Sequence, residues 1–147
     1  MTAIQDFYNG GNITCNKEEL TWKQIIKKDN EWYNGCYDFI QFLFPVNKSS
    51  AYNPNAPILV KEDTTIVGRH ILPNVVRFGH FLSSVDMTKF NHNHLRITRM
   101  LESLSLVIDN EASFQFFLES IKMIDLMDGY RNRQTFDYWY NATQYKW

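Results

Sequence analysis

The feature that most constrains the fold of this chain is the spacing of apolar residues at helical intervals within residues 92–108. At about 100° per residue, the apolar positions fall within about a third of the helix circumference. They are Ile97, Met100, Leu101, Leu104, Val107 and Ile108. Nowhere does an alternation of period two persist, and no internal repeat is present. The pattern therefore predicts an all-α fold.

The length and composition of the chain suit one compact domain. A chain of 147 residues can bury roughly two-thirds of the surface that its unfolded form exposes. Hydrophobic residues make up 44% and aromatic residues 16%, which favours a core of large flat side chains. We therefore expect residues 1–147 to form a single compact bundle of about five to seven helices, in which residues 1–15 are an irregular N-terminal arm.

Apolar periodicity and capping residues place the predicted helices along the chain. The ranges are 16–28 with Asn16 as N-cap, 30–44 ending before Pro45, 63–83 with a kink or a fresh start at Pro73, 92–108, 110–127, and 135–143. The helix over 110–127 carries apolar residues on two sides, which predicts a central position. Residues 46–60 hold two prolines among Asn and Ser, which predicts an ordered Asn/Pro-rich connector.

The net charge, the first residues and the apolar runs of the chain limit its partners and its location in the cell. Fifteen Lys and Arg oppose sixteen Asp and Glu, and the net charge of -1 argues against attraction of the whole surface to nucleic acid or anionic lipid. The first residues have neither the basic nor the apolar region of a secretory signal. Apolar runs are far shorter than the roughly 18 residues that cross a membrane. We therefore expect a cytoplasmic protein, with a nuclear or host-intracellular location as the alternative.

Motifs for metal, cofactor or catalytic chemistry are missing from the sequence. The four histidines and the two cysteines, Cys15 and Cys36, lack the spacing of a zinc site, and two cysteines are too few for a disulfide framework. Neither a glycine-rich phosphate loop nor a nucleophile elbow is present. The sequence therefore predicts a protein that is not an enzyme and that uses no metal and no cofactor.

Three motifs carry a resemblance to a known family. They are IQFLFP at residues 40–45, NPNAP at 53–57 and HNHLRITR at 92–99. They resemble the conserved region of the opioid growth factor receptor family, whose signatures are an Ile-Gln-Trp-Leu-Phe-Pro-like run, an Asn-Pro-x-Ala-Pro loop and a His-Asn-x-Leu-Arg-Ile-Thr-Arg helix start. Phe42 stands where the family has tryptophan, and Tyr37 stands where a histidine is often found.

The resemblance covers most of the chain and implies an all-helical domain. In the vertebrate members it also implies binding of a short opioid peptide and a nuclear or perinuclear location. The repeat-bearing tail of those members is not expected here. Because a fold transfers between relatives far better than a ligand does, the opioid peptide is not carried over to this chain.

The start of the helix at residue 92 is the strongest candidate for a binding surface. Arg96 and Arg99 lie one turn apart and form, with His92, a cationic face suited to a carboxylate or a phosphate. With Ser103, these residues occupy the side opposite the apolar face. The alternative is that one arginine pairs with an acidic neighbour or with carbonyls of the Asn-Pro loop and so fixes that loop. His94, at the edge of the apolar face, is expected to be a hydrogen-bonded structural histidine.

The Asn-Pro loop and the helix before it supply the other candidate residues. Residues 52–57 present amides such as that of Asn53 beside rigid prolines, as a binding lip or, alternatively, as a strap packed across the bundle. Gln41 lies within an aromatic helix, where its amide must find partners, and the backbone of the loop is expected to supply them.

The leading hypothesis is a non-catalytic binding module for a peptide, a protein segment or a small anion. Its ligand would lie between the Asn-Pro loop and the Arg96/Arg99 helix, in contact with Gln41, Asn53, His92, Arg96 and Arg99. One alternative is contact with nucleic acid through lysines 23, 27 and 28 and arginines 96, 99, 131 and 133, with exposed aromatic rings for stacking. Others are a host-interaction accessory protein of viral or mobile-element origin, and an enzyme of an unrecognised type.

Overall fold

The structure is a computed structural model that describes residues 1–51 and 53–147. Contacts divide the chain into a first unit, Met1–Ser84, and a second unit, Val85–Trp147. Helices hold 58% of the residues and strands 5%. The prediction of a mostly helical protein is confirmed, whereas a purely all-α bundle is not, because the first unit contains a small β-hairpin. The single domain predicted for residues 1–147 stays a prediction.

The first unit contains six short or medium helices and one hairpin among its described residues. The helices are α1 (Ala3–Tyr8), α2 (Trp22–Lys27), α3 (Asn30–Gly35), α4 (Ile40–Leu43), α5 (Thr64–Gly68) and α6 (Ile71–Leu82), and the strands are β1 (Asn12–Cys15) and β2 (Glu18–Thr21). A 3-10 turn over Lys61–Asp63 leads into α5.

The N-terminal segment is ordered, so the irregular arm predicted for residues 1–15 is wrong. Thr2 caps α1 by accepting a hydrogen bond from the Gln5 backbone amide at 3.1 Å, and Phe7 and Tyr8 are buried. The antiparallel strands β1 and β2 follow, joined by Asn16 and Lys17 with φ angles of 50° and 66°. Four residues per strand are too few for a persistent period-two signal.

Two predicted helices of the first unit have different bounds in the structure. Residue 16 belongs to the hairpin turn, and Thr21 caps α2 instead. The helix predicted over 30–44 is interrupted, because α3 ends at Gly35 and Cys36 is extended. Glycine has a low helix propensity, which agrees with the end of α3 at Gly35, and Pro45 stops α4 as predicted. Pro73 lies in the first turn of α6, so the fresh start is the correct alternative.

A buried amide network fixes the helices of the first unit. Asn74 of α6 is 0% exposed. Its Nδ2 donates to Tyr8 Oη and to the Leu43 carbonyl, each at 3.0 Å, and its Oδ1 accepts from Trp22 Nε1 at 2.7 Å. One side chain thereby ties α6 to α1, α2 and α4. The surrounding core is built on aromatic rings, including Phe7, Tyr33, Phe39, Phe44, Phe78 and Phe81.

The second unit is built around one long helix. It contains α7 (His92–Val107), α8 (Asn110–Ser120) and α9 (Tyr130–Ala142), with a 3-10 turn over Ile121–Met123. Helix α7 matches the predicted helix to within one residue and packs against both α8 and α9. Helix α8 is shorter than predicted and buries only Ser113, Phe117 and Ser120. The central helix is therefore α7, and the central position predicted for the helix over 110–127 is wrong.

The C-terminal helix begins earlier than its apolar residues indicate. Helix α9 starts at Tyr130, directly after Gly129, whose φ of 125° requires glycine. None of the helices in the described part of the chain is long and apolar enough to cross a lipid bilayer.

Candidate functional site

The first turn of α7 is fixed by asparagine side chains. Asn91 is the N-cap, and its Oδ1 accepts a hydrogen bond from the Asn93 backbone amide at 2.9 Å. The Asn91 carbonyl accepts from the His94 amide at 3.0 Å. Asparagine is among the best N-cap residues because its short side chain reaches these amides. The motif HNHLRITR therefore begins a helix here, as the sequence predicts.

Arg96 is a buried cation and not part of a solvent-facing surface. Arg96 is only 6% exposed, and its Nη1 donates a hydrogen bond to Asn93 Oδ1 at 3.3 Å. Ser103, two turns further along α7, is 0% exposed. The apolar periodicity predicts that both residues lie opposite the apolar face. Their burial corrects this interpretation, because α7 is enclosed on that side as well.

The other two cationic candidates on α7 differ in exposure. His92 is exposed, and its pKa is lowered by partial burial of the ring and by the nearby charge of Arg96. The Arg99 side chain is largely enclosed, and burial lowers its pKa to about 10, against the opposing effect of the Glu102 carboxylate. Arg99 therefore stays protonated at neutral pH, whereas His92 is neutral there.

Two fully buried polar groups on α7 lack hydrogen-bond partners within the described part of the chain. They are Asn93 Nδ2 and Ser103 Oγ, and both residues are 0% exposed. At about 100° per residue, Asn93, Arg96 and Ser103 fall within about 80° of the helix circumference. An unsatisfied buried polar group costs about 1–3 kcal/mol, so such groups call for an explanation, and an additional water, ion or ligand is one.

The three residues form a donor-rich stripe, which we call the α7 polar stripe (Asn93, Arg96 and Ser103). An amide N–H, a guanidinium and a hydroxyl all donate hydrogen bonds. Oxygen acceptors with negative charge receive such donors most strongly, and a guanidinium matches a carboxylate in two parallel bonds. Because Ser103 lies ten residues, or about 15 Å, along the helix from Asn93, a carboxylate or a similar oxyanion suits the end of the stripe formed by Asn93 and Arg96.

Gln41 is buried on α4 in the first unit. The residue is 7% exposed, and its Oε1 accepts no hydrogen bond from the described residues. The sequence predicts that the backbone of the Asn-Pro loop satisfies this amide. No residue among 1–51 and 53–147 donates a hydrogen bond to the Gln41 side-chain oxygen, so the expectation is wrong for this atom. Gln41 therefore keeps an acceptor available in the core.

Asn53 uses its amide to shape its own loop. Its side-chain Oδ1 accepts a hydrogen bond from the Asn55 backbone amide at 3.2 Å, and its backbone carbonyl accepts one from the Ala56 backbone amide at 3.0 Å. Its backbone amide donates to Ser50 Oγ at 3.2 Å. Because the oxygen already holds the turn, the geometry favours the structural alternative for this residue. Tyr52, the first residue of the predicted lip, lies outside the described residues.

The sequence-predicted site residues are distributed over both units. His92, Arg96 and Arg99 lie on one side of α7 in the second unit, whereas Gln41 and Asn53 belong to the first unit. A ligand held jointly by these five residues stays a prediction. Sequence reasoning missed Asn93, although its position one turn before Arg96 is a signal that helical spacing offers.

His94 confirms its predicted structural role. It is 1% exposed, its Nε2 lies 3.0 Å from the Met87 carbonyl, and its Nδ1 lies 3.4 Å from Thr135 Oγ1. The contact with a carbonyl assigns the proton to Nε2, so Nδ1 is the acceptor for the threonine hydroxyl. No group of three potential metal-ligating side chains occurs within the described residues.

Several basic residues of the nucleic-acid alternative already have partners. Lys28 forms an ion pair with Glu18 at 3.3 Å, and the Arg131 guanidinium lies 4.0 Å from the centre of the Phe90 ring. Lys23 and Lys27 of α2 are exposed. Lys28 and Arg131 therefore stabilise the structure around them.

Comparison of the chain with protein-family models, with curated proteins and with solved structures gave no match.

Proposed function

We propose that this protein is a non-catalytic binding module that recognises a carboxylate-bearing peptide or protein segment through the α7 polar stripe. The observation that supports the proposal is Asn93 Nδ2, a fully buried donor without a hydrogen-bond partner among the described residues, on a side chain whose Oδ1 accepts from the buried guanidinium of Arg96. A carboxylate supplies the oxygen acceptor that such donors need. The resemblance to the opioid growth factor receptor family agrees with a binding role, and membership of that family is part of the proposal.

Arg99 and His92 extend this surface toward solvent. Arg99 lies one turn beyond Arg96, is less buried, and stays charged at neutral pH. His92 is exposed at the start of the helix. We assign them the outer part of the site, where the charge of Arg99 attracts the acidic segment and the neutral imidazole of His92 orients it through a hydrogen bond. Asn93 and Arg96, at one end of the stripe, hold the carboxylate.

The experiment is a binding titration with a defined probe. A fluorescently labelled, terminally blocked peptide of consecutive glutamates is added to the full chain, and its anisotropy is recorded. The expected result is saturable binding that Arg99→Ala weakens by about tenfold, the order of effect of losing a charged hydrogen-bond partner. Arg133→Ala removes an exposed arginine from α9 of the same unit and is the matched control, which should leave the affinity unchanged.

Two outcomes contradict the proposal. One is an affinity that is the same in the wild type, Arg99→Ala and Arg133→Ala. The other is equal binding of a glutamine peptide of the same length, because that probe lacks the carboxylates. Circular dichroism of each variant establishes that the fold is retained.

A further inference from the structure

Two Asn-Gly dipeptides lie at exposed positions of the first unit. They are Asn9-Gly10, between α1 and β1, and Asn34-Gly35, at the end of α3. In such a pair the backbone nitrogen of the glycine can attack the side-chain amide of the asparagine, because glycine has no Cβ to block the approach. At both glycines an added Cβ would meet nothing within 4 Å, so the neighbouring groups leave each dipeptide open to this attack.

The backbone around the first dipeptide is held by few contacts. Asn9 is the C-cap of α1, and Gly10 has a φ angle of 103°, which lies outside the range of a helix. The Gly10 amide donates to the Phe7 carbonyl at 3.3 Å, which is long for a hydrogen bond between backbone groups. Opening of this junction breaks that bond and the 2.8 Å bond that the Gly11 amide donates to α1. The next buried side chain along the chain is that of Cys15, so the opening displaces no neighbouring core residue.

The second dipeptide is held more firmly. Asn34 and Gly35 both belong to α3. The residue directly after them, Cys36, is 1% exposed, and its backbone amide donates to the Trp32 carbonyl at 3.0 Å. Rotation of the backbone at Asn34 therefore breaks the last turn of α3 and displaces a buried residue. Because the two dipeptides have the same sequence, Asn34 is a matched comparison for Asn9 within one molecule.

From this difference we propose that Asn9 is a site of spontaneous deamidation, at which the chain converts to aspartate and isoaspartate. The Gly10 nitrogen loses its proton and forms a bond to Asn9 Cγ, and the side-chain nitrogen leaves with a proton as ammonia. Water then opens the cyclic succinimide at either of its two carbonyls. One opening gives aspartate, and the other gives isoaspartate, in which the main chain runs through the former side chain. Water is the only co-reactant, and no group is oxidised or reduced.

The modification changes the junction between α1 and β1. Both products add a carboxylate at the C-terminal end of α1, where the helix already carries partial negative charge. Isoaspartate also lengthens the main chain directly after Phe7 and Tyr8, which are buried. Tyr8 Oη donates to the Phe42 carbonyl at 2.6 Å, and this bond fixes the position of α1 against the rest of the unit. The deamidated protein is therefore expected to melt at a lower temperature than the unmodified protein.

The test ages the folded full chain at mildly alkaline pH and maps its tryptic peptides by mass spectrometry, with unaged protein processed in parallel as the baseline. Trypsin places the two dipeptides in separate peptides, residues 1–17 and 29–48, and electron-transfer fragmentation distinguishes isoaspartate from aspartate. Asn9 should deamidate about tenfold faster than Asn34, the ratio expected when local opening differs by about one hydrogen bond. In concentrated urea the two rates should become similar, because the fold no longer distinguishes the sites.

Asn9→Gln is the variant that separates the modification from other effects of ageing. Glutamine keeps an amide at this exposed position but places its carbon one bond further from the Gly10 nitrogen, so the ring forms far more slowly. The aged variant should keep the thermal midpoint that the aged wild type loses. An Asn9 that stays intact, an Asn34 that reacts as fast in the folded protein, or an equal loss of thermal midpoint in the variant would overturn the proposal.

Discussion

Asn74 and Asn93 are both fully buried amides, yet only Asn74 has both of its side-chain polar atoms paired. The three hydrogen bonds of Asn74 join four helices of the first unit. Asn93 accepts from Arg96 and leaves its Nδ2 without a partner among the described residues. A satisfied amide is a structural device, whereas an unsatisfied one next to a buried cation favours a ligand-binding role.

Replacing Asn74 by alanine should lower the free energy of unfolding by about 3 kcal/mol, because Trp22 Nε1 and buried oxygens lose their partner. Urea unfolding followed by tryptophan fluorescence measures the change. Asn34→Ala, at an exposed position of α3, is the matched control and should change stability by less than about 0.5 kcal/mol. Equal effects of the two changes on the free energy of unfolding would show that the hydrogen bonds of Asn74 do not stabilise the fold.

His94 predicts a dependence of stability on pH. Burial lowers its pKa below the usual value of 6.5, so the unfolded chain binds the proton more readily than the folded chain. The contribution of His94 is fully present above pH 6.5 and is lost as the pH falls below it. The groups in contact with the ring are the Met87 carbonyl, the Thr135 hydroxyl and the rings of Phe90 and Trp139.

The comparison of wild type with His94→Gln isolates this effect. Thermal midpoints are measured at pH 7.5 and at pH 5. Glutamine places an amide near the position of Nε2, and it does not titrate. The wild type should lose more stability on acidification than the variant does. A larger loss in the variant would contradict the assignment of His94 as a buried neutral histidine.

At the scale of the elements, the hairpin turn is held by two residues with positive φ. Asn16 adopts a left-handed conformation that asparagine tolerates and β-branched residues do not. Asn16→Val should therefore lower the free energy of unfolding by about 1 kcal/mol or more. Thr14→Val, at an exposed and extended position of β1, is the control in urea unfolding and should be close to neutral. The reverse order of the two effects would contradict the turn geometry.

The elements also show what sequence patterns can predict. Helix α7 was predicted to within one residue because its apolar periodicity extends over four turns. The strands β1 and β2 and the helix α4 have only four residues each, so they present no measurable period. Their positions depend on tertiary contacts, such as the buried side chains of Leu20 and Leu43. Burial of Arg96 and Ser103 was missed because periodicity treats a polar residue as solvent-facing.

For the whole molecule, the net charge of -1 hides a local concentration of buried and half-buried cations on α7. Composition alone excluded attraction of the whole surface to anions, but it gave no information on one helix face. The predicted residues Gln41 and Asn53 lie in the first unit and the cationic residues in the second. Helical spacing relates residues within α7, and no such rule relates residues of different units.

The central claim is that Asn93 donates to a bound carboxylate, and Asn93→Asp tests it most directly. Aspartate keeps the shape of the side chain and the acceptor for Arg96, but it replaces the donor Nδ2 with an anionic oxygen. Isotope-edited NMR follows titration of the glutamate peptide into both proteins. In the wild type, the side-chain amide signal of Asn93 is expected to shift on binding, whereas Asn93→Asp is expected to stay folded without binding the peptide. Binding of the peptide by Asn93→Asp with wild-type affinity would contradict it.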